Sequence, residues 1–343
     1  MKRLAHDLCA ANALLLTTAL TACASTRGNA PTVPVGVQVE EWDYVADDGV
    51  RQYVTEFGHG DTVVVLHGGW GGEHSGLLDA VRPLADRFHF VLYDQRGSLR
   101  SPAPDSTISL PRLVRDLEGL RRQLGQERLT LFGHSMGTVL GYAYLAQYPD
   151  RVQGLLLAAA LLPTNDQFRV LGVPASDTAR LGRLRRELSA AQEARRTATL
   201  AAEGLDHADS ARLTDRERAA RWRIRLASVM LARAERWREL RGGPSFYSPG
   251  VGQAIDRNST PAERDSLWAR FLPALTRFRG PVTVVVGDAD FVDPQAALWR
   301  YAAARLPRTR LVVLPGAGHL PWIDDPVRFG ALVSEALTRA TTR

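Results

Sequence analysis

The sequence predicts an α/β fold in which a mostly parallel, doubly wound sheet is interrupted by an inserted helical block. Short, uniformly apolar runs recur along the 343 residues, and amphipathic helical stretches alternate with them. The alternation lapses between residues 164 and 275 and then resumes. A hydrophobic content of 45% over this length supports a substantial core, as one large α/β domain or two ordinary ones. No repeat period of about 20–50 residues is present, which excludes a solenoid or propeller.

The elements follow in order. "VQVEEWDYV" and "RQYVTEF" read as strands joined by the turn "ADDG". "TVVVLH" is a buried strand, Leu77 to Arg87 a helix, "FHFVLYD" a strand and Leu110 to Leu124 a helix. "RLTLFG" is the next strand, Met136 to Gln147 a helix, and "VQGLLLAAA" a strand. From residue 164 to residue 275 the chain becomes rich in Ala, Arg, Leu and Glu, broken at "GGPSFYSPG", and reads as a helical lid. The strand "PVTVVVG", a helix from Pro294 to Ala304, the strand "RLVVLPG" and a helix from Pro326 to Ala340 complete the pattern. The core is thus expected in two parts, 37–163 and 276–343, around a lid at 164–275. Insertions of this kind leave a sheet at the carboxyl ends of its strands, where ligands bind.

Charge narrows the chemistry. Lys2 is the only lysine, so a Schiff-base lysine, a Ser-Lys dyad and a phosphate-loop lysine are excluded from the body of the chain. The net charge of +6 resides in the segment Thr164–Leu275, which holds 20 Arg against 14 Asp and Glu. These arginines alternate with acids at helical spacing, as in "RLGRLRRELSAAQEARR", which describes a solvated helix surface rather than a nucleic-acid site.

The first 22 residues read as an export signal: Lys2 and Arg3 lead into "LCAANALLLTTAL", too short to span a bilayer. Leu20-Thr21-Ala22-Cys23 resembles the bacterial lipobox, whose cysteine is acylated and becomes the mature N-terminus. Residues 23–36 then form a flexible tether. The expectation is an exported lipoprotein anchored at Cys23, and Ala24, in place of an aspartate, favours the outer membrane. Cys9 would leave with the signal, so no internal disulfide forms.

The chemistry centres on "GHSMG", residues 133–137, which fits G-x-S-x-G between a strand and a helix. Such a turn projects Ser135 at a helix N-terminus, where the amide of Met136 can stabilise an oxyanion. A serine nucleophile needs a base. Of the eight histidines, His6 lies in the signal, His59 in a turn, His89 in a strand and His207 in the lid, while His134 diverges from Ser135 and packs. His319 follows a late strand in "GAGH", where a Ser, acid, His order expects the base. The acid should follow "PVTVVV", where Asp288, Asp290 and Asp293 all stand. Asp293 precedes Pro294 and suits a helix cap. A second oxyanion donor is expected from "HGGWGGEH", residues 67–74, through the amide of Gly69 or Trp70.

These motifs together resemble the α/β-hydrolase superfamily and, within it, the proline-iminopeptidase-like serine peptidases. "HGGWGGEH" looks like the group's HGGPG-x-x-H loop, and "DQRGSLRS" from Asp94 to Ser101 like its DQRGxGRS. "GHSMG", "GDAD" and "GAGHLPWIDDP" are similar to its remaining motifs, in the same order. The resemblance implies an α/β-hydrolase fold with a cap, and it selects Asp290, fourth residue of G-x-x-D, as the acid of a Ser135–His319–Asp290 triad. It also implies carboxylates under the cap for a substrate's amino group, with Glu203, Glu217, Glu235 and Glu239 available. Asp94 and Arg96 are expected to brace loops by ion pairing. Trp70 stands where the group has proline, and Met136 where tryptophan is common, so the peptide substrate is the part these departures touch. The expected activity is release of N-terminal residues from short peptides. An esterase or lactone hydrolase with the same triad is the alternative, and a non-enzymatic binding module the third reading. No metal or organic cofactor is implied, since H-E-x-x-H, C-x-x-C and dinucleotide fingerprints are all missing.

Overall fold

A computed structural model describes residues 38–206 and 210–341. The expected signal, Cys23 and the tether lie outside the described residues, as does His207. Among the described residues no helix is long and apolar enough to cross a membrane.

Eight strands form one sheet in the order β1-β2-β4-β3-β5-β6-β7-β8. They are β1 (Val39–Val45), β2 (Arg51–Gly58), β3 (Asp61–Leu66), β4 (Phe88–Tyr93), β5 (Leu129–His134), β6 (Val152–Ala158), β7 (Val282–Gly287) and β8 (Thr309–Leu314). β1 pairs antiparallel with β2, and β2 antiparallel with β4; every later pairing is parallel. The hairpin read from "ADDG" is present, closed by the Ala46–Val50 backbone hydrogen bond of 2.9 Å.

Helices cover both faces of the sheet, and further helices form the block inserted after β6; in chain order they are α1 (Ser75–Val81), α2 (Leu110–Gln123), α3 (Met136–Gln147), α4 (Gln167–Leu171), α5 (Ala175–Ala202), α6 (Asp215–Met230), α7 (Gly250–Arg257), α8 (Pro261–Trp268), α9 (Phe271–Arg277), α10 (Ala297–Ala303), α11 (Pro321–Asp324) and α12 (Pro326–Thr341). Because successive strand residues point to opposite faces, each apolar strand feeds two cores. Val64 and Leu66 of β3 pack with Leu113 and Leu117 of α2 and Leu140 of α3. Val63 and Val65 pack on the other side with Val81 of α1 and Val333 of α12. The second core runs on into the helical block through Ile224, Leu231 and Trp237.

Three elements differ from the sequence reading. The helix from Leu77 ends at Val81, because Pro83 opens a 3-10 turn at Arg82–Leu84. The helix from Pro294 starts properly only at Ala297, since Gln295 and Ala296 take left-handed backbone angles (φ 60° and 51°). The buried Asp293 carboxylate imposes this, accepting the amides of Leu298 (2.9 Å) and Trp299 (2.8 Å). Finally, α9 straddles the expected end of the lid at Leu275 and packs on α3, with the Phe271 ring 5.9 Å from Tyr142.

Candidate active site

β5 delivers Ser135 to the carboxyl end of the sheet. The turn into α3 holds the serine at φ 51°, ψ −121°, a conformation that non-glycine residues adopt only under constraint. Part of the constraint is the hydrogen bond of 3.1 Å from its amide to the Ala158 carbonyl on β6. The hydroxyl lies 2.8 Å from Nε2 of His319. Nδ1 of His319 lies 2.9 Å from both carboxylate oxygens of Asp290. A carboxylate can only accept there, so Nδ1 carries the proton and Nε2 is left to accept from Ser135. The structure therefore brings Ser135, His319 and Asp290 together. Asp293 is set apart by its capping of α10, and Asp288 accepts the amide of Gly316 (2.8 Å).

Gly68 closes the site from the β3 side. A Cβ on it would lie 2.8 Å from the Ser135 Cβ and 2.7 Å from Nδ1 of His134, so only glycine fits. Gly69, with φ 72°, lines the same cavity as Ser135. Trp70 and Met136 instead line a second cavity, of about 580 Å³. Among the described residues the amides of Gly69, Trp70 and Met136 donate no hydrogen bond to the protein. They are unengaged donors next to the nucleophile position.

His134 packs, as its divergence from Ser135 implies, but it also touches the relay. Its Nε2–H donates to the carbonyl oxygen of His319 (3.0 Å), and its ring meets Trp322 edge-on at 4.8 Å. Burial first, and then the neighbouring His319, depress its pKa from 6.5 to about 3. A depressed histidine stabilises the fold fully above its unfolded pKa, and that stability is lost as pH falls toward the folded pKa. Between about pH 6 and pH 3 the wild type should therefore lose about 1.4 kcal/mol per pH unit from this residue. Thermal denaturation across that range checks this; His134→Asn should flatten the slope, and an unchanged slope would refute it.

The loops around the site are held by ion pairs. Asp94 accepts from His74 Nδ1 (2.8 Å) and Arg100 Nε (2.8 Å). Burial raises its pKa, but hydrogen bonds from His74 and Arg100 outweigh this and hold it well below the usual carboxylate range. Arg96, fully buried, forms a fork on Asp116 (2.8 and 2.8 Å) and a second on Asp48 (2.9 and 3.0 Å). His67 accepts the Gln95 amide at Nε2 (2.9 Å), tying the two loops.

The cavity over Ser135 measures about 400 Å³. Its walls are largely apolar, with Trp222, Leu226 and Met230 of α6 facing Phe291 and Tyr247. Three carboxylates reach it: Glu73, Asp79 and Glu239. Each is already met by an arginine, Glu73 by Arg100 (2.9 Å), Asp79 by Arg241 (2.6 Å) and Glu239 by Arg236 (2.7 Å). Of the cap acids considered from sequence, Glu239 alone lines the cavity. Glu203 pairs with Arg238 (2.7 Å), Glu217 caps α6 with Thr214, and Glu235 is exposed. Glu73 and Asp79 could not be singled out from sequence, because their approach to the cavity is set by loops and a helix folding over the sheet.

Comparison with known proteins agrees with this geometry. The family description "alpha/beta hydrolase fold" matches residues 61–326. The proline iminopeptidase of Xylella fastidiosa (strain Temecula1) is 30% identical over 313 residues, spanning 84% of this chain and 92% of that protein. The solved proline iminopeptidase-related protein from Thermus thermophilus is 27% identical with a TM-score of 0.54, covering 88% of this chain and 98% of that one. A thermophilic esterase from Thermogutta terrifontis shares the fold at 21% identity, with a TM-score of 0.61 and coverage of 88% and 100%.

Proposed function

Since the chain belongs to the α/β-hydrolase family and is proline iminopeptidase-like, we propose that it is a serine aminopeptidase working through an acyl-enzyme. The supporting observation is the relay Ser135 Oγ, His319 Nε2 (2.8 Å), His319 Nδ1, Asp290 (2.9 Å) at the floor of a cavity that carboxylates also line. His319 takes the Ser135 proton as Oγ attacks the substrate carbonyl, and Asp290 stabilises the imidazolium. The amides of Met136 and of Gly69 or Trp70 hold the oxyanion. His319 then protonates the leaving amine, and a water that it activates releases the acid from Ser135.

For a substrate with a free amino group, the available partners are Glu73, Asp79 and Glu239, the three carboxylates that line the cavity. The pairing of every cavity carboxylate with an arginine favours a second reading, an esterase acting on uncharged acyl groups against apolar walls. Purified protein assayed on Pro-β-naphthylamide, its N-acetyl derivative and a series of p-nitrophenyl esters separates the two. For the aminopeptidase, kcat/KM on the free amine should exceed that on the blocked one by about 100-fold or more. Ester turnover with no amide turnover would assign the esterase. Failure of a fluorophosphonate probe to label Ser135 would leave a binding module.

We also propose export and acylation at Cys23, supported by the N-terminal sequence. Detergent phase partition checks it: Cys23→Ser should move the protein from the detergent to the aqueous phase.

A further inference from the structure

The cap wall and the histidine loop meet at one buried carboxylate. Asp324, at the end of α11, is fully buried and accepts three backbone amides. They belong to Gly318 (2.8 Å) beside His319, and to Ala232 (3.0 Å) and Arg233 (3.0 Å) just past the end of α6. Met230, the last residue of α6, completes the join: its carbonyl accepts the amides of His319 (2.7 Å) and Leu320 (3.3 Å). Arg236 adds a bond of 3.1 Å to the main-chain oxygen of Asp324. The contact is tight, since a Cβ on Gly318 would lie 2.6 Å from the Met230 oxygen.

A buried carboxylate filled by backbone donors forms strong, directional bonds, and removing it orphans each donor. Here the donors come from two segments that are remote in sequence. Neither the Asp324 side chain nor its amide partners line the cavity over Ser135. Trp222, Leu226 and Met230 do line it, so the helix that walls the substrate space ends on the acceptor of the His319 amide.

We propose that Asp324 is a positioning residue that locks the 230–233 turn of the cap against the 318–320 loop and so fixes His319 between Asp290 and Ser135. The proposal rests on the reading of His319 as the general base. Displacing a base by about 1 Å costs on the order of 100-fold in rate. The isosteric Asp324→Asn should therefore lower kcat on p-nitrophenyl acetate by about 30- to 100-fold with KM changed less than about threefold. Ala232→Pro removes one donor, and the extended backbone of Leu231 before it (φ −108°, ψ 141°) suits a proline; its kcat should fall by about fivefold. Asp325→Asn, next door but capping α12 through Arg328 (3.1 Å), should leave kcat unchanged.

A purely structural role would lower Tm alone. The discriminating signature is the low-field proton resonance of His319 Nδ1–H against Asp290, expected in wild type and Asp325→Asn and broadened or shifted in Asp324→Asn and Ala232→Pro. This readout needs no turnover. Absence of Ser135 labelling in wild type would therefore sink the hydrolase reading while the resonance still tests the clamp. Folded Asp324→Asn with wild-type resonance and kcat overturns the proposal; if that variant does not fold, an unperturbed resonance in Ala232→Pro does.

Discussion

Ser135→Ala is expected to yield a folded protein whose turnover falls by about 10⁴-fold or more and which no longer reacts with fluorophosphonate probes. The hydroxyl has one side-chain partner, His319 at 2.8 Å, and alanine keeps the Cβ around which Gly68 is packed. The strained backbone at φ 51° persists, because strand β5 and the Ala158 hydrogen bond impose it rather than the hydroxyl. Stability should therefore change by less than about 1 kcal/mol. Steady-state kinetics on whichever substrate the panel selects, with a melting curve beside it, measures both. Residual turnover above about 1% of wild type would remove Ser135 from the mechanism.

Arg96→Met should do the opposite, costing about 3–5 kcal/mol of stability. Arg96 and Asp116 are both buried, with side-chain exposures of 0% and 1%, so methionine removes both 2.8 Å hydrogen bonds of the Asp116 carboxylate and leaves it only the longer contact with Arg112 (3.5 Å). At Asp48, burial pushes the pKa up, but the Arg96 hydrogen bonds outweigh it and bring it to about 2. That contribution is present above the ordinary carboxylate pKa and is lost as pH falls toward 2, so the variant should also lose part of the wild type's acid response. Its Tm should drop by about 5–15 °C, and Arg96→Met combined with Asp116→Leu should recover part of the loss. A single variant melting within about 2 °C of wild type would show that the network is not stabilising.

The sheet was legible because its strands are buried on both faces and read as continuous apolar runs, as in "TVVVLH" and "PVTVVVG". Ser135 and His319 were legible because each sits in a turn whose glycines mark a close approach, whereas Asp290 was separated from Asp288 and Asp293 only by the resemblance to G-x-x-D. What was not legible depends on side-chain capping or on partners far away in sequence. Ala296 adopts its left-handed angle under a carboxylate cap, and nothing in "DPQAAL" announces it. His134 could be seen to pack, but its hydrogen bond to the main chain of His319, 185 positions later, could not. "WIDDP" likewise offers two adjacent aspartates, and only tertiary structure separates the buried Asp324 from its neighbour.

The cap is fastened at two rims of the site: Met230 to the His319 amide (2.7 Å), and the Ser248 amide to the Gly71 carbonyl (2.8 Å). A hinge that swung the whole insertion away would break both contacts and so disturb the base and the glycine loop together. Phe246 and Tyr247 line the same cavity with 39% and 47% of their surface exposed, so its apolar lining reaches solvent on the segment that Ser248 ties down.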